Sequence, residues 1–111
     1  MTRSFFFVLL LAGCATVNQR EPIAGWPRLE IVEQHLPHAQ MVDRCSRFVS
    51  FGMTPTACAE ISFETARCHI YYSADFPPQP WIVVHERQHC AGHDHIGSTV
   101  LRDALARWRA Q

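Results

Sequence analysis

The 111-residue sequence has no lysine: all ten basic side chains are arginine, and ten carboxylates balance them to a formal net charge of zero. The arginines are scattered, with a mild cluster at Arg102, Arg107 and Arg109, so nothing resembles an electrostatic footprint for nucleic acid, and no nucleic-acid partner is expected. No apolar run reaches the ~20 residues that a bilayer-spanning helix needs. There is no internal repeat, no low-complexity tract and no Cys-x-x-Cys pair, and the last absence disfavours a zinc site built from thiolates. The length allows one small domain with little core to bury.

At the N-terminus, Arg3 precedes the apolar run from Ser4 to Leu11, and small residues follow at Ala12 and Gly13 before Cys14. A charged start, an apolar middle and a small-residue end are the parts of a secretion signal. The letters "LAGC" resemble the lipobox of bacterial lipoproteins. That resemblance implies cleavage before Cys14, lipidation of Cys14, and a place in the bacterial cell envelope, anchored to the periplasmic face of the outer membrane. The competing reading is an ordinary secretion signal ending near Ala12 or Ala15. Either way the chain is expected to leave the cytoplasm, with residues 1–13 as signal, 14–26 as tether and 27–111 as the folded domain.

Export changes what the remaining cysteines mean. Cys45, Cys58, Cys68 and Cys90 are an even set in an oxidising compartment, which predicts two disulfides. Three pairings are open. A local hairpin favours Cys58 with Cys68, and hence Cys45 with Cys90; four-cysteine zinc binding is the competing reading.

Along the chain, "RLEIVEQHL" (28–36) alternates as a strand does. Pro37, followed by Met41, Val42, Cys45 and Phe48 at three-to-four spacing, predicts a short helix. "CAEISF" and "ARCHIYYS" flank Glu64-Thr65 as the arms of a hairpin. The prolines of "ADFPPQP" force a loop. Pro80 and Gly92 then bracket a helix of about three turns from Trp81 to Ala91. Ser98 is a candidate N-cap for a last, amphipathic helix with Val100, Leu101, Ala104, Leu105 and Trp108 on one stripe. Phe63, Tyr71, Trp81 and Trp108 are expected in the core.

Four of the seven histidines fall in "VVHERQHCAGHDH", Val83 to His95. On a helix, His85 and His89 project from one face, a turn apart, and can reach one ion through neutral ring nitrogens. Glu86 then flanks that ion as a base for an activated water. A catalytic zinc needs a third protein ligand, and the turn at Gly92 lets His95 approach from a new direction. Asp94 is expected to accept a hydrogen bond from a ligand's second ring nitrogen, or else to be an alternative third ligand.

His85-Glu86-x-x-His89-x-x-Gly92-x-x-His95 matches the HExxHxxGxxH signature of the metzincin metallopeptidases, and the layout around it resembles small secreted zincin-like proteins. The resemblance implies Zn²⁺ held by His85, His89 and His95, with Glu86 as general base and a peptide or protein as substrate. It further implies that the strand before the zinc helix, Arg67 to Ser73, pairs with an extended substrate. The family's methionine turn and nearby tyrosine have no counterpart, since the 16 residues after His95 contain neither methionine nor tyrosine. The site's floor therefore falls to the C-terminal helix, and Tyr71, Tyr72 and His93 are the candidates for steadying an oxyanion. The expected fold is α+β: a small disulfide-stapled domain with a short antiparallel sheet or hairpin packed on the zinc-binding helix and a C-terminal helix. The expected function is that of a lipid-anchored zinc metallopeptidase. A catalytically inactive zinc-binding lipoprotein and a metal-free adaptor or inhibitor are the alternatives.

Overall fold

The computed structural model describes residues 21–49 and 52–111. The expected signal and Cys14 lie outside the described residues. Among the described residues, no helix is long and apolar enough to cross a membrane.

The elements run β1 (Glu30–Leu36), α1 (His38–Cys45) with a 3₁₀ turn at Ser46–Phe48, β2 (Ala57–Ser62), β3 (Arg67–Ser73), α2 (Pro80–Cys90) and α3 (Val100–Arg109). This is the α+β, disulfide-stapled domain expected from the sequence, with one added feature. β1 joins the sheet in parallel with β3, giving the order β1-β3-β2, with β2 antiparallel to β3. β3 is therefore the central strand, and its backbone groups are committed on both sides. It cannot also pair with an extended substrate, contrary to what the metzincin resemblance implies.

The hairpin turn is wider than Glu64-Thr65. β2 and β3 last pair at Ser62 and Arg67, and Ala66 takes a left-handed φ of 54°. A two-residue hairpin needs residues that favour positive φ, which Glu and Thr do not, so the chain uses four.

Strand parity decides how the core divides. Ala57, Cys68, Ile70 and Tyr72 share one sheet face and pack with Cys90, Ile82 and Val83 of α2. Cys58 and Tyr71 share the other face and pack with Met41 and Cys45 of α1. The sheet is thus covered by a helix on each side.

The same parity sets the disulfides, which are Cys45–Cys58 and Cys68–Cys90. The pairing favoured from the sequence is wrong. Cys58 stands opposite Tyr71, three residues from Cys68, so the two thiols point to opposite faces of the sheet. Cys45 and Cys90 are likewise separated by the sheet. With every one of these four cysteines in a disulfide, a four-cysteine zinc site is excluded. Each disulfide staples one helix to the sheet, and loops of 13 and 22 residues make each worth about 3 kcal/mol.

Residues 21–26, the described part of the expected tether, pack on the end of α2. The Ile23 amide donates to the Gly92 carbonyl at 3.0 Å, and the Trp26 indole donates to the Cys90 carbonyl at 2.9 Å. Trp26 meets Phe63 edge-on, and Phe63 stacks on Trp108 of α3. Of the aromatic residues expected in the core, Trp81 is instead 63% exposed, its indole donating to Gln79 at the start of α2.

Candidate metal centre

α2 begins with Pro80, whose fixed φ suits the first helical position. Its inner face sets Ile82, Val83 and Cys90 toward the sheet, the Cys68–Cys90 bridge fixes that face covalently, and Glu86 is buried on the same helix. His85 and His89 then fall along one side of the helix. Gly92, at φ +90°, closes the helix: its amide donates to the His89 carbonyl and the His93 amide to the Gln88 carbonyl, both at 3.0 Å. The chain turns back there and brings His95 over the helix face.

The three imidazoles converge through their Nε2 atoms. The separations are 3.1 Å for His85–His89, 3.2 Å for His89–His95 and 3.0 Å for His85–His95. A tetrahedral ion with metal–nitrogen bonds of about 2.0–2.1 Å holds its ligand nitrogens about 3.3–3.4 Å apart. The observed triangle lies within a few tenths of an ångström of that spacing, so the three histidines can hold one metal ion. Among the described residues no fourth potential ligand joins them.

The tautomer of His89 is set by its neighbour. Its Nδ1 lies 2.7 Å from the His93 carbonyl, which can only accept, so Nδ1 carries the hydrogen and Nε2 keeps its lone pair for the centre. Burial lowers the His89 pKa to about 4, and burial followed by the nearby His95 lowers that of His85. Both effects favour the neutral rings that a metal needs. Glu86 is 8% exposed, and burial pushes its carboxyl up to about 7.

A network behind α2 ties it to the outer strand. Arg87 pairs with Glu33 of β1, and the buried Tyr72 hydroxyl reaches the same carboxylate. The Arg87 hydrogen bond holds Glu33 below its usual range, while burial raises Tyr72 to about 12.

The histidines and Glu86 form one side of an open cleft of about 340 Å³. Thr54, Pro55, Thr56 and the β2 residues Ala57 and Ala59 also line it, as do Ser98, Val100 and Leu101. Tyr71, Tyr72 and His93, the oxyanion candidates read from the sequence, are outside this lining. The two tyrosines are buried on opposite faces of the sheet, and His93 serves through its carbonyl. Among the described residues, Thr54, Thr56 and Ser98 are the hydroxyl-bearing residues that line the cleft; no sequence pattern marks them as part of a site. His35, His38 and His69 sit elsewhere, against Tyr72, Ser73 and Tyr71.

Asp94 is 4% exposed and makes neither of the contacts expected of it. Its carboxylate accepts from two backbone amides, those of His95 and Leu101, each at 3.1 Å. No known protein family, curated protein or solved structure matches this chain.

Proposed function

We propose that the protein is a zinc-dependent metallopeptidase held to the cell envelope by a lipid on Cys14. The observation that carries this reading is the convergence of three Nε2 atoms, 3.0–3.2 Å apart, beside the buried Glu86 in an open cleft. Three imidazoles suit zinc, and a set of three protein ligands among the described residues leaves a position for water or substrate, as catalytic zinc sites do. When bound, zinc supplies Lewis acidity, polarising a carbonyl oxygen and making water more acidic.

Glu86 supplies the proton transfers. Its carboxylate is buried beside the three imidazoles and lines the same cleft, which suits a group that takes and returns a proton there. Glu86 accepts the proton of the water whose oxygen bonds to the peptide carbonyl carbon. It delivers that proton to the amine nitrogen as the C–N bond breaks. The hydroxyls of Thr54, Thr56 and Ser98 are the donors at hand for the oxyanion.

The substrate's backbone has a partner in β2, the edge strand of the sheet on the cleft side. An extended peptide adding a strand there would share the cleft with the histidines, since Ala57 and Ala59 of β2 line it too.

The second reading, a zinc-binding protein without peptidase activity, draws on the lack of a tyrosine in the cleft lining. One experiment separates the two. The full chain is purified, its zinc content measured, and hydrolysis of a mixed peptide library compared between wild type and Glu86→Gln. Stoichiometric zinc in both proteins, with hydrolysis only by wild type, is the expected result. Zinc without hydrolysis in either supports the second reading, and no zinc removes both.

A further inference from the structure

We propose that Asp94 is a positioning residue for the metal centre: its carboxylate fixes the third ligand, His95, to the first turn of α3, which makes the C-terminal helix the support of the site. This rests on the metal-binding reading but not on peptide hydrolysis.

The three histidines are not held alike. His85 and His89 ride on α2, which the Cys68–Cys90 bridge and the core fix in place. His95 lies on the segment after the helix, with its residue exposed. A ligand on a loop keeps its place only through its supports. One oxygen of Asp94 accepts from the His95 amide and the other from the Leu101 amide.

The second contact is where α3 needs it. The first amides of a helix lack partners within the helix, and its N-terminus favours negative charge. Thr99, at the N-cap position of α3, makes no side-chain bond to the helix backbone; its hydroxyl donates to Asp103 instead. Ser98, the N-cap expected from the sequence, accepts only a long 3.3 Å bond from Val100. Asp94 therefore caps the helix from outside it. α3 is in turn held by buried Leu105, by Trp108 on Phe63 and by Arg109 donating to the Gly25 carbonyl. A chain of contacts thus runs from Phe63 of the hairpin turn and from Gly25 through α3 and Asp94 to the backbone of His95.

A helix cap with no bearing on the metal is the rival explanation, and zinc affinity separates them. Using the full chain, zinc dissociation constants are measured by competition with a chromogenic chelator. The proteins compared are wild type, Asp94→Ala, Asp94→Asn, His95→Ala and the Asp94→Ala/His95→Ala double variant. Asp94→Ala is expected to weaken zinc about tenfold to a hundredfold, and Asp94→Asn, which keeps one carbonyl acceptor, by about threefold to tenfold. Without His95 the effect disappears: Asp94→Ala changes affinity by less than about twofold in the His95→Ala background. The visible spectrum of the cobalt-substituted Asp94→Ala protein shifts toward that of His95→Ala.

If Asp94→Ala lowers the melting temperature of the metal-free protein but leaves its zinc affinity unchanged, Asp94 is a cap alone and the inference is overturned. Equal losses with and without His95 overturn it too. If Asp94→Ala does not fold, Asp94→Asn decides, and an unchanged zinc affinity there refutes the role. A wild type that binds no zinc brings down this inference and the proposed function together, whereas one that binds zinc through His95 with Asp94 indifferent brings down this inference alone.

Discussion

Gly92→Ala tests whether the turn between the second and third histidines is as tightly specified as its geometry implies. Two costs add. The first is conformational: at φ +90° an alanine meets strain of about 1–2 kcal/mol that glycine does not. The second is steric, because a Cβ at Gly92 would lie 2.6 Å from Cγ and 2.7 Å from Cδ2 of Trp26, well inside contact distance. Trp26 is not free to swing away, since its indole donates to the Cys90 carbonyl and its ring abuts Phe63. Forcing a methyl into such a contact costs about 1–3 kcal/mol. Together these lower the stability by roughly 2–5 kcal/mol, a fall in melting temperature of about 10 °C or more for a domain of this size. The assay is thermal and urea unfolding of the metal-free protein, followed by circular dichroism, for wild type, Gly92→Ala, Trp26→Ala and the double variant. In the Trp26→Ala background the ring contacts are gone and the conformational part remains with only the 3.0 Å approach to the retained Cβ of residue 26, so the two substitutions couple by about 1–3 kcal/mol. Equal cost of Gly92→Ala with and without the tryptophan refutes the steric half of the reasoning. A cost below about 0.5 kcal/mol in the wild-type background refutes both halves.

Two further outcomes follow from the disulfides and the buried tyrosine. Replacing either cysteine pair by alanine lowers the unfolding free energy by about 3 kcal/mol, but only loss of Cys68–Cys90, which anchors the helix carrying His85 and His89, also weakens zinc in a chelator competition; equal zinc affinity in the two double variants counts against that coupling. The Tyr72 pKa is raised from the ordinary 10 to about 12, so between those values the folded chain keeps a proton that the unfolded chain releases. Stability therefore falls as pH rises through that window. An ultraviolet phenolate titration should resolve a group near 12 that disappears in Tyr72→Phe, and its persistence in that variant would reassign it.

The helices and strands were legible from local signals, a period in β1, α1 and α3, bracketing residues for α2 and strand-forming composition in the hairpin. Met41 and Cys45 mark one stripe of α1, and Pro80 and Gly92 bracket α2. What the sequence could not carry was every feature that depends on which strand lies beside which. The disulfide pairing turned on whether Cys58 and Cys68 share a sheet face, and the hairpin register that decides it was ambiguous at Glu64-Thr65. The central place of β3 depends on its parallel pairing with β1 across more than thirty intervening residues, and nothing local announces such a partner. Trp81 was misread for the opposite reason: an aromatic residue in an apolar run suggests core, yet the first turn of α2 leaves it in solvent.

The three-histidine site divides along the same line. His85 and His89 are four apart on a helix, which local geometry alone brings together, and Gly92 announces a turn. The support of His95 was hidden because it acts through backbone amides, and any residue type at position 101 other than proline offers the same N–H. The sequence shows the ligands of such a site more readily than it shows what holds them. Here the buried carboxylate of Asp94, which accepts from the amides of His95 and Leu101, could not be read from the sequence. One carboxylate, buried between the His95 and Leu101 amides, joins the third histidine to the first turn of α3, a link written in backbone groups and not in side-chain pattern.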